Sequence, residues 1–523
     1  MVKYLDNNNN SGFMAWNANR NANAKKQGGG FFRWFLIFVA LWWVIGIMFG
    51  KNTNVTNVLD TPAVEADVSN VPTYEIKSNK ITANVQGLRI SNVDLRDFPV
   101  SADSTDTMKL LSGENAFAEI GVIGVGTTTP SADTVWKTDG DAYVWRNTDG
   151  VEFRRSIVVD EYVITVNDEI KNNSKKDYSF SPYAKIRRGG DKSSSAGVYT
   201  GFVVYANGNV EHDDWRALNK KPYAYTTTNG FAGFVDQYWE TVVDIDAPDQ
   251  TIRGQKYGDL YQTEINTRNI NVAAGNVANI KSYLYAGPRD SLILKGASQV
   301  INGIDKTVDY GWFWFLAKPM LWLINAINAI VMNYGVAIII MTILLRLLLW
   351  PLTRKSYTSM AAMQKMQPEM QRIQKLYAND KQRLQIEMMK LYQTHKTSPM
   401  SGCLPMLIQI PIFFALYKAL IISVQMRNAG FLWISDLATM DPYFILPILM
   451  GASMWWQQRI QSPKTKSADK NDVAAQTQRA MRWMPIIFTV MFAWMPAGLV
   501  LYWTVSNLLG IGQMYIIKKN SEK

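Results

Sequence analysis

Arg346 is the side chain whose type and setting point most directly to chemistry. It lies in MNYGVAIIIMTILLRLLLWPL (Met332 to Leu352), a run otherwise free of charge and long enough to cross a bilayer. A guanidinium at that depth is costly, and such groups face a protein interior or a water-filled cavity instead of lipid. The usual remedy is an acidic partner, yet the apolar spans 332–353, 403–424, 442–458 and 483–517 contain no Asp and no Glu. One reading is a fixed cation facing water inside the membrane, awaiting a polar group that arrives. The other is snorkelling to the nearby cytoplasmic surface, since Pro351 follows within a few residues.

Other polar side chains sit in apolar runs. Gln409 lies between Pro405 and Pro411 in GCLPMLIQIPIFFALYKALIISV (Gly402 to Val424). The last span carries Tyr502, Trp503, Thr504, Ser506, Asn507 and Gln513. Such polarity marks either a polar cavity or hydrogen bonding between helices. Enzyme chemistry is poorly supplied. Cys403 is the only cysteine, and the two histidines, His212 and His395, are far apart, which argues against a metal cluster or a Ser/Cys–His site. Asp160, Glu161, Asp168 and Glu169 fall on alternating stretches, where acids are solvated faces, and no phosphate-binding glycine motif is present. The chain reads as a non-enzyme without cofactor or metal.

The elements that position these residues follow from hydropathy and charge. Of 523 residues, 48% are hydrophobic and 18 are Trp, the composition of a membrane protein with a sizeable soluble part. Residues 51–305 hold 26 Lys/Arg against 33 Asp/Glu, while the rest holds 28 against 10. The basic clusters fall at Lys3 to Arg33, Arg354 to Lys396, Arg459 to Arg482 and Lys518 to Lys523, so these segments are cytoplasmic by the positive-inside rule. This predicts six spans with both termini in the cytoplasm. Residues 1–30 are Asn- and Gly-rich and read as a disordered N-terminus. FFRWFLIFVALWWVIGIMFG (31–50) is a retained anchor, and 51–73 a linker. Stretches such as SIVVDEYVITVND (Ser156 to Asp168), GFVVYANGNV (Gly201 to Val210) and ETVVDI (Glu240 to Ile245) alternate, and Gly, Asn and Asp punctuate them. An antiparallel β-sandwich over 74–308 follows. Residues 309–330 form an aromatic interfacial helix, or else an extension of the next span.

The remaining spans are 332–353, 402–424, 442–458, 483–496 and 498–517, with an outer loop at 425–441, a cytoplasmic loop at 459–482 and a tail at 518–523. MPAG (Met495 to Gly498) separates the last two spans. Between the second and third spans, Met363, Met366, Met370, Ile373 and Tyr377 repeat at helical spacing, as do Leu384, Met388, Leu391 and His395. Asp380 is placed to cap the second helix, so 354–398 reads as a cytoplasmic hairpin. Its methionines either join the two helices or offer an adaptable apolar surface.

Several stretches together resemble the YidC family of membrane protein insertases: LLRLLLWPLTRKSYTSMAAMQKMQPEMQ (Leu344 to Gln371), DKQRLQIEMMKLY (Asp380 to Tyr392), PMSGCLPMLIQIPIFFALYKAL (Pro399 to Leu420), DPYFILPILMG (Asp441 to Gly451) and MPAGLVLYWTVSN (Met495 to Asn507). The resemblance implies a five-helix core with a hydrophilic groove open to cytoplasm and lipid, preceded by an anchor and a periplasmic β-supersandwich of the Gram-negative type. It places the groove arginine on Arg346, a polar neighbour on Thr342, and client contacts on Tyr502 and Trp503, the last replacing a frequent tyrosine. Gln409, Ser506 and Asn507 complete the candidate groove, and Met363, Met366, Met370 and Met388 the hairpin's client or ribosome contacts. It further implies nascent membrane proteins and lipids as partners, with the Sec translocon, the signal recognition particle receptor and the ribosome beside them, no DNA, and a chaperone role in the bacterial inner membrane. A secondary transporter would show repeated halves and membrane acids. A sugar-converting outer domain would need more than His212.

Overall fold

The structure, a computed structural model, describes residues 66–113, 115–190, 198–215, 222–395, 404–461 and 473–521. The expected N-terminal segment 1–30, the anchor 31–50, most of the linker 51–73, Cys403 and the middle of loop 459–482 lie outside the described residues. The chain divides into two compact units. One comprises Met1–Asn54 and Lys464–Met484, described only where a helix begins at Val473. The other comprises Val55–Pro463 and Pro485–Lys523 and holds everything discussed below except the first part of that helix.

Among the described residues, the strands between Thr73 and Pro288 form a ten-stranded and a nine-stranded sheet, paired throughout antiparallel. One continuous apolar core draws on both sheets. Peripheral strands alternate. In Ile81–Gln86, Ile81, Ala83 and Val85 turn inward while Thr82, Asn84 and Gln86 stay partly exposed, the period-two signature of a half-buried strand. The strands Gly201–Ala206, Gly230–Val235 and Trp239–Ile245 depart from the expected alternation, being buried along their whole length. Part of the cover comes from the chain that follows the last strand. Helix α1 (Ser291–Ala297) and the 3-10 turn Ile304–Thr307 bring Leu294, Ala297, Ile301 and Ile304 into the same core. Gly303, at φ +84°, passes so close to the Tyr205 ring that a Cβ would lie 2.6 Å from it.

Glu240, on one of these covered strands, is fully buried. Its Oε2 lies 2.8 Å from Thr307 Oγ1, which in turn lies 2.7 Å from the Ile304 carbonyl. One hydroxyl proton cannot serve both oxygens, so a proton on the carboxyl completes the chain. Burial pushes the Glu240 carboxyl up to about 7 from 4.5, opposed chiefly by the Arg289 guanidinium. A raised folded-state value means stability present below the unfolded value of 4.5 and lost as pH rises through 7. The loss approaches about 3 kcal/mol. Glu240→Gln should therefore raise the thermal midpoint of the full-length protein at pH 8 and flatten its fall between pH 5 and 8, Asp244, also near 7, keeping part of the slope. A variant melting like the parent at both ends of that range would refute the protonated carboxyl.

The helices that follow are α2 (Trp314–Val331), α3 (Tyr334–Leu348), α4 (Trp350–Leu376), α5 (Lys381–Thr394), α6 (Leu404–Ile422), α7 (Ile445–Gln461), α8 (Val473–Phe492) and α9 (Ala497–Ser521). By length and composition, Trp314–Val331 and Ala497–Ile517 are each long and apolar enough to cross a membrane, and α3 with the start of α4 forms a bent candidate pair. The segment expected as an interfacial helix over 309–330 is helical from Trp314 to Val331. Ala317, Met320, Leu321 and Ile324 pack inward at helical spacing while Trp314 and Trp322 stay exposed. The run expected as one span over 332–353 is two helices bent by 65°. Pro351 explains the break: it lacks an N–H and sits in the first turn of α4, where that donor is not needed. The hairpin therefore begins at Trp350, and Asp380 caps its second helix by accepting from Arg383 N at 3.0 Å. Chain breaks fall on either side of Met495-Pro496, with α8 ending at Phe492 and α9 starting at Ala497.

Polar contacts join the β domain to the helices. Lys418 near the end of α6 is buried and pairs with Asp309 at 2.7 Å. Gln237 donates to the Ile421 carbonyl at 2.9 Å, and Arg427 donates to the carbonyls of Pro99, at 2.7 Å, and Val100.

Candidate functional site

Helix α3 starts where the Asn333 side chain accepts from Val336 N, and it carries Arg346 in its last turn. The guanidinium is half-buried. Its Nε and Nη2 both donate to Ser506 Oγ on α9, at 3.0 and 2.7 Å. Among the described residues no carboxylate pairs with it. Arg346 is held by a neutral hydroxyl, and among the described residues its charge is uncompensated. That is the arrangement of a site for an incoming acceptor.

The neighbours are built in from three other helices. One turn before Ser506, buried Tyr502 accepts a hydrogen bond from Gln409 Nε2 of α6. A Cβ placed on Gly510 would lie 3.2 Å from Gln457 Nε2, 3.5 Å from Tyr357 Oη and 3.6 Å from Arg346 Nη1. The missing side chain at Gly510 thus lets donors from α3, α4 and α7 converge. Gln513, one turn nearer the C-terminus, donates to the Arg346 carbonyl at 3.4 Å and leaves its own Oε1 buried without a partner.

The other sequence-predicted positions divide. Thr342 shares a helix face with Arg346 but is wholly buried, and its one hydroxyl proton goes back to the Ile338 carbonyl at 2.6 Å. It packs between the helices and offers no free donor. Asn507 is also buried and donates to Ser453 Oγ on α7 at 3.1 Å, a bond between helices. Trp503 is half-buried among aromatic rings, 5.2 Å from Phe413 and 5.2 Å from Phe492. The structure therefore gathers Arg346, Ser506, Tyr502 and Gln409, and sets Thr342, Asn507 and Trp503 into the packing around them.

In the hairpin, Met366 is buried, while Met363, Met370 and Met388 are half-buried. The most exposed apolar side chains are Leu376, Ile386 and Met389. Sequence reasoning missed these because a regular apolar seam marks what a helix turns inward. The outward apolar residues are those that fall off the seam. Tyr357, Gln457 and Gly510 were also missed, and only their convergence in space reveals them. No group of three or more His, Cys, Asp or Glu among the described residues is placed to hold a metal.

Two family models match this chain. One, described as 60Kd inner membrane protein, covers residues 326–523, and one described as YidC periplasmic domain covers residues 73–323. The membrane protein insertase YidC of Magnetococcus marinus is 33% identical over 492 residues, spanning 89% of this chain and 86% of the relative. That of Mannheimia succiniciproducens is 41% identical over 387 residues, 72% and 69% of the two chains. A crystal structure titled as an active YidC insertase with the first transmembrane domain resolved covers 85% of this chain and 94% of its own, with 17% identity and a TM-score of 0.36.

Proposed function

Since this chain belongs to the YidC family of membrane protein insertases, we propose that it moves client transmembrane segments from the cytoplasm into the inner membrane along a hydrophilic groove whose working group is Arg346. The observation that carries this reading is the half-buried guanidinium held by Ser506 with no carboxylate beside it. A client's outer segment must cross hydrocarbon, where each unsatisfied backbone group costs several kcal/mol. Arg346, with Gln409, Tyr357 and Gln457 around it, offers that segment charge and hydrogen bonds partway across. The client's apolar helix then leaves sideways into lipid, and its hydrophobic transfer drives the process. No nucleotide is consumed and no covalent chemistry takes place.

The topology that serves this route has six spans, both termini in the cytoplasm and the β domain in the periplasm. The hairpin Trp350–Thr394 receives the client through Leu376, Ile386 and Met389, near the ribosome and the signal recognition particle receptor. Small clients are inserted by this protein alone. Larger ones are released beside the Sec channel, where the groove also acts as a chaperone for folding helices.

The decisive experiment is insertion of a single-span client with an acidic outer tail into liposomes that contain only this purified protein. Protection of the tail from external protease, absent in empty liposomes, is the expected result. No protection by folded, correctly oriented protein would overturn autonomous insertion.

A further inference from the structure

An open cleft of about 760 Å³ lies where the β domain meets the helical part. Met108–Ser112 and Ala116 form one wall, Arg188–Gly190 and Asp236–Trp239 the other, and Arg427, Asp436, Ala438 and Thr439 the base. The cleft occupies a gap in the ten-stranded sheet. The strand Phe117–Val125 bridges Arg89–Pro99 and Tyr178–Gly189 only as far as the pair Phe117 with Arg187. Beyond that pair its place beside Arg89–Pro99 is taken by the short strand Thr107–Leu110, which among the described residues has no strand on its other edge.

The register shows which backbone groups face the gap. Leu110 sits opposite Val93, Lys109 opposite Asp94 and Met108 opposite Leu95. Asn92 N donates to the Leu111 carbonyl at 2.9 Å. Bonded pairs recur every second residue in an antiparallel ladder. Lys109 therefore turns its N–H and C=O towards Asp94, and Met108 and Leu110 turn theirs away, into the cleft. An edge of this kind is a template for another extended chain.

The surrounding side chains select the chain it would take. Arg188 is tied to Asp236 at 2.7 Å, and the Arg427 guanidinium sits 5.6 Å from the Trp239 ring centre. With Lys109, the lining among the described residues holds three cations against Asp236 and Asp436. The base is continuous with the helical part, because Thr439 and Leu437 accept from Ala497 N and Gly498 N at the start of α9. A segment that had crossed the membrane beside α9 would arrive at this base.

We propose that the cleft binds an extended acidic polypeptide segment, the outer tail of a client that has just crossed, as an added strand along Met108–Leu110. The four-residue strand spans about 13 Å at 3.3 Å per residue, enough to pair with a short peptide stretch. Naming the occupant as a client tail rests on the insertase reading. The strand-addition site itself does not.

The test is binding of a fluorescent eight-residue acidic peptide to the full-length protein in nanodiscs, with an N-methylated copy and a basic copy alongside. Saturable binding is expected, weakened on the order of tenfold by N-methylation of alternate amides, since each removes a main-chain hydrogen bond. Leu110→Pro deletes one outward donor and should weaken binding similarly, and Lys109→Glu should favour the basic peptide. Because Leu110→Pro can disturb the strand, Lys109→Glu, at an exposed side chain, gives the independent readout. No saturable binding, or binding indifferent to both N-methylation and Lys109→Glu, would overturn the site. Saturable binding by a protein that inserts nothing into liposomes would leave the cleft standing and remove the insertase reading of its occupant. Insertion without peptide binding would overturn the cleft alone.

Discussion

Arg346→Ala should lower insertion of a client with an acidic outer tail by roughly tenfold to a hundredfold, the range expected when a hydrogen bond to a charged group is lost. The fold should survive, because the guanidinium is half-exposed and among the described residues its side-chain bonds go to one hydroxyl. The loss should be smaller for an otherwise identical client with a neutral tail, because the attraction is between charges in a medium of intermediate dielectric. Arg346→Lys should fall between. It keeps the charge but cannot place two N–H groups on Ser506 at once, since an ammonium lacks the planar fork. Protease protection in proteoliposomes, run with both clients, reads all three variants. Equal losses for acidic and neutral tails would refute the electrostatic role and leave Arg346 as a packing residue.

Gly451→Leu should abolish accumulation of folded protein. A Cβ built on Gly451 of α7 lies 1.9 Å from Thr489 Oγ1 on α8 and 3.2 Å from Thr489 Cβ. The Thr489 hydroxyl cannot swing away cheaply, because it donates to the Pro485 carbonyl at 2.8 Å. Small residues allow such close approach of membrane helices, and overpacking there costs about 1–3 kcal/mol even for one added methyl. Gly451→Ala should therefore lower the thermal midpoint measurably, and Thr489→Ala in the same chain should recover most of the loss. That non-additivity is the signature of a shared contact. Size-exclusion profiles of detergent-solubilised protein after a heating series report both effects. A Gly451→Leu variant that elutes as a monodisperse peak at parental yield would show that the two helices do not pack through this point.

What the sequence made legible and what it hid differ for physical reasons. The uncompensated cation was legible, because a charge in an apolar run needs no partner to be seen. So was the β domain, whose outer strands such as Ile81–Gln86 keep the period of two. The inner strands hid their second covered face, because the cover comes from α1 and the 3-10 turn after the last strand. Proline carried local information unevenly. Pro351 breaks the chain between α3 and α4, whereas Pro411 and Pro485 lie inside α6 and α8 without ending them. At the site, Thr342 and Arg346 share a face by spacing alone, but spacing does not say that one is buried and the other half-open. The meeting of Tyr357, Gln457 and Gly510 around Arg346 joins three further helices and has no signature in any one of them.

The 65° turn after Leu348 has a consequence for the lipid as well as for the chain. Helix α3 holds 15 residues, about 22 Å of axial rise, beside a hydrocarbon layer of about 30 Å. The bend turns the apolar start of α4 away from the α3 axis, so a bilayer crossed along α3 would meet a helix about 8 Å short of its thickness and would compress or tilt around it, a hydrophobic mismatch. The deformation is set by backbone length and not by any side chain. It should therefore persist in Arg346→Ala and leave that variant a residual, charge-independent route for weakly polar tails.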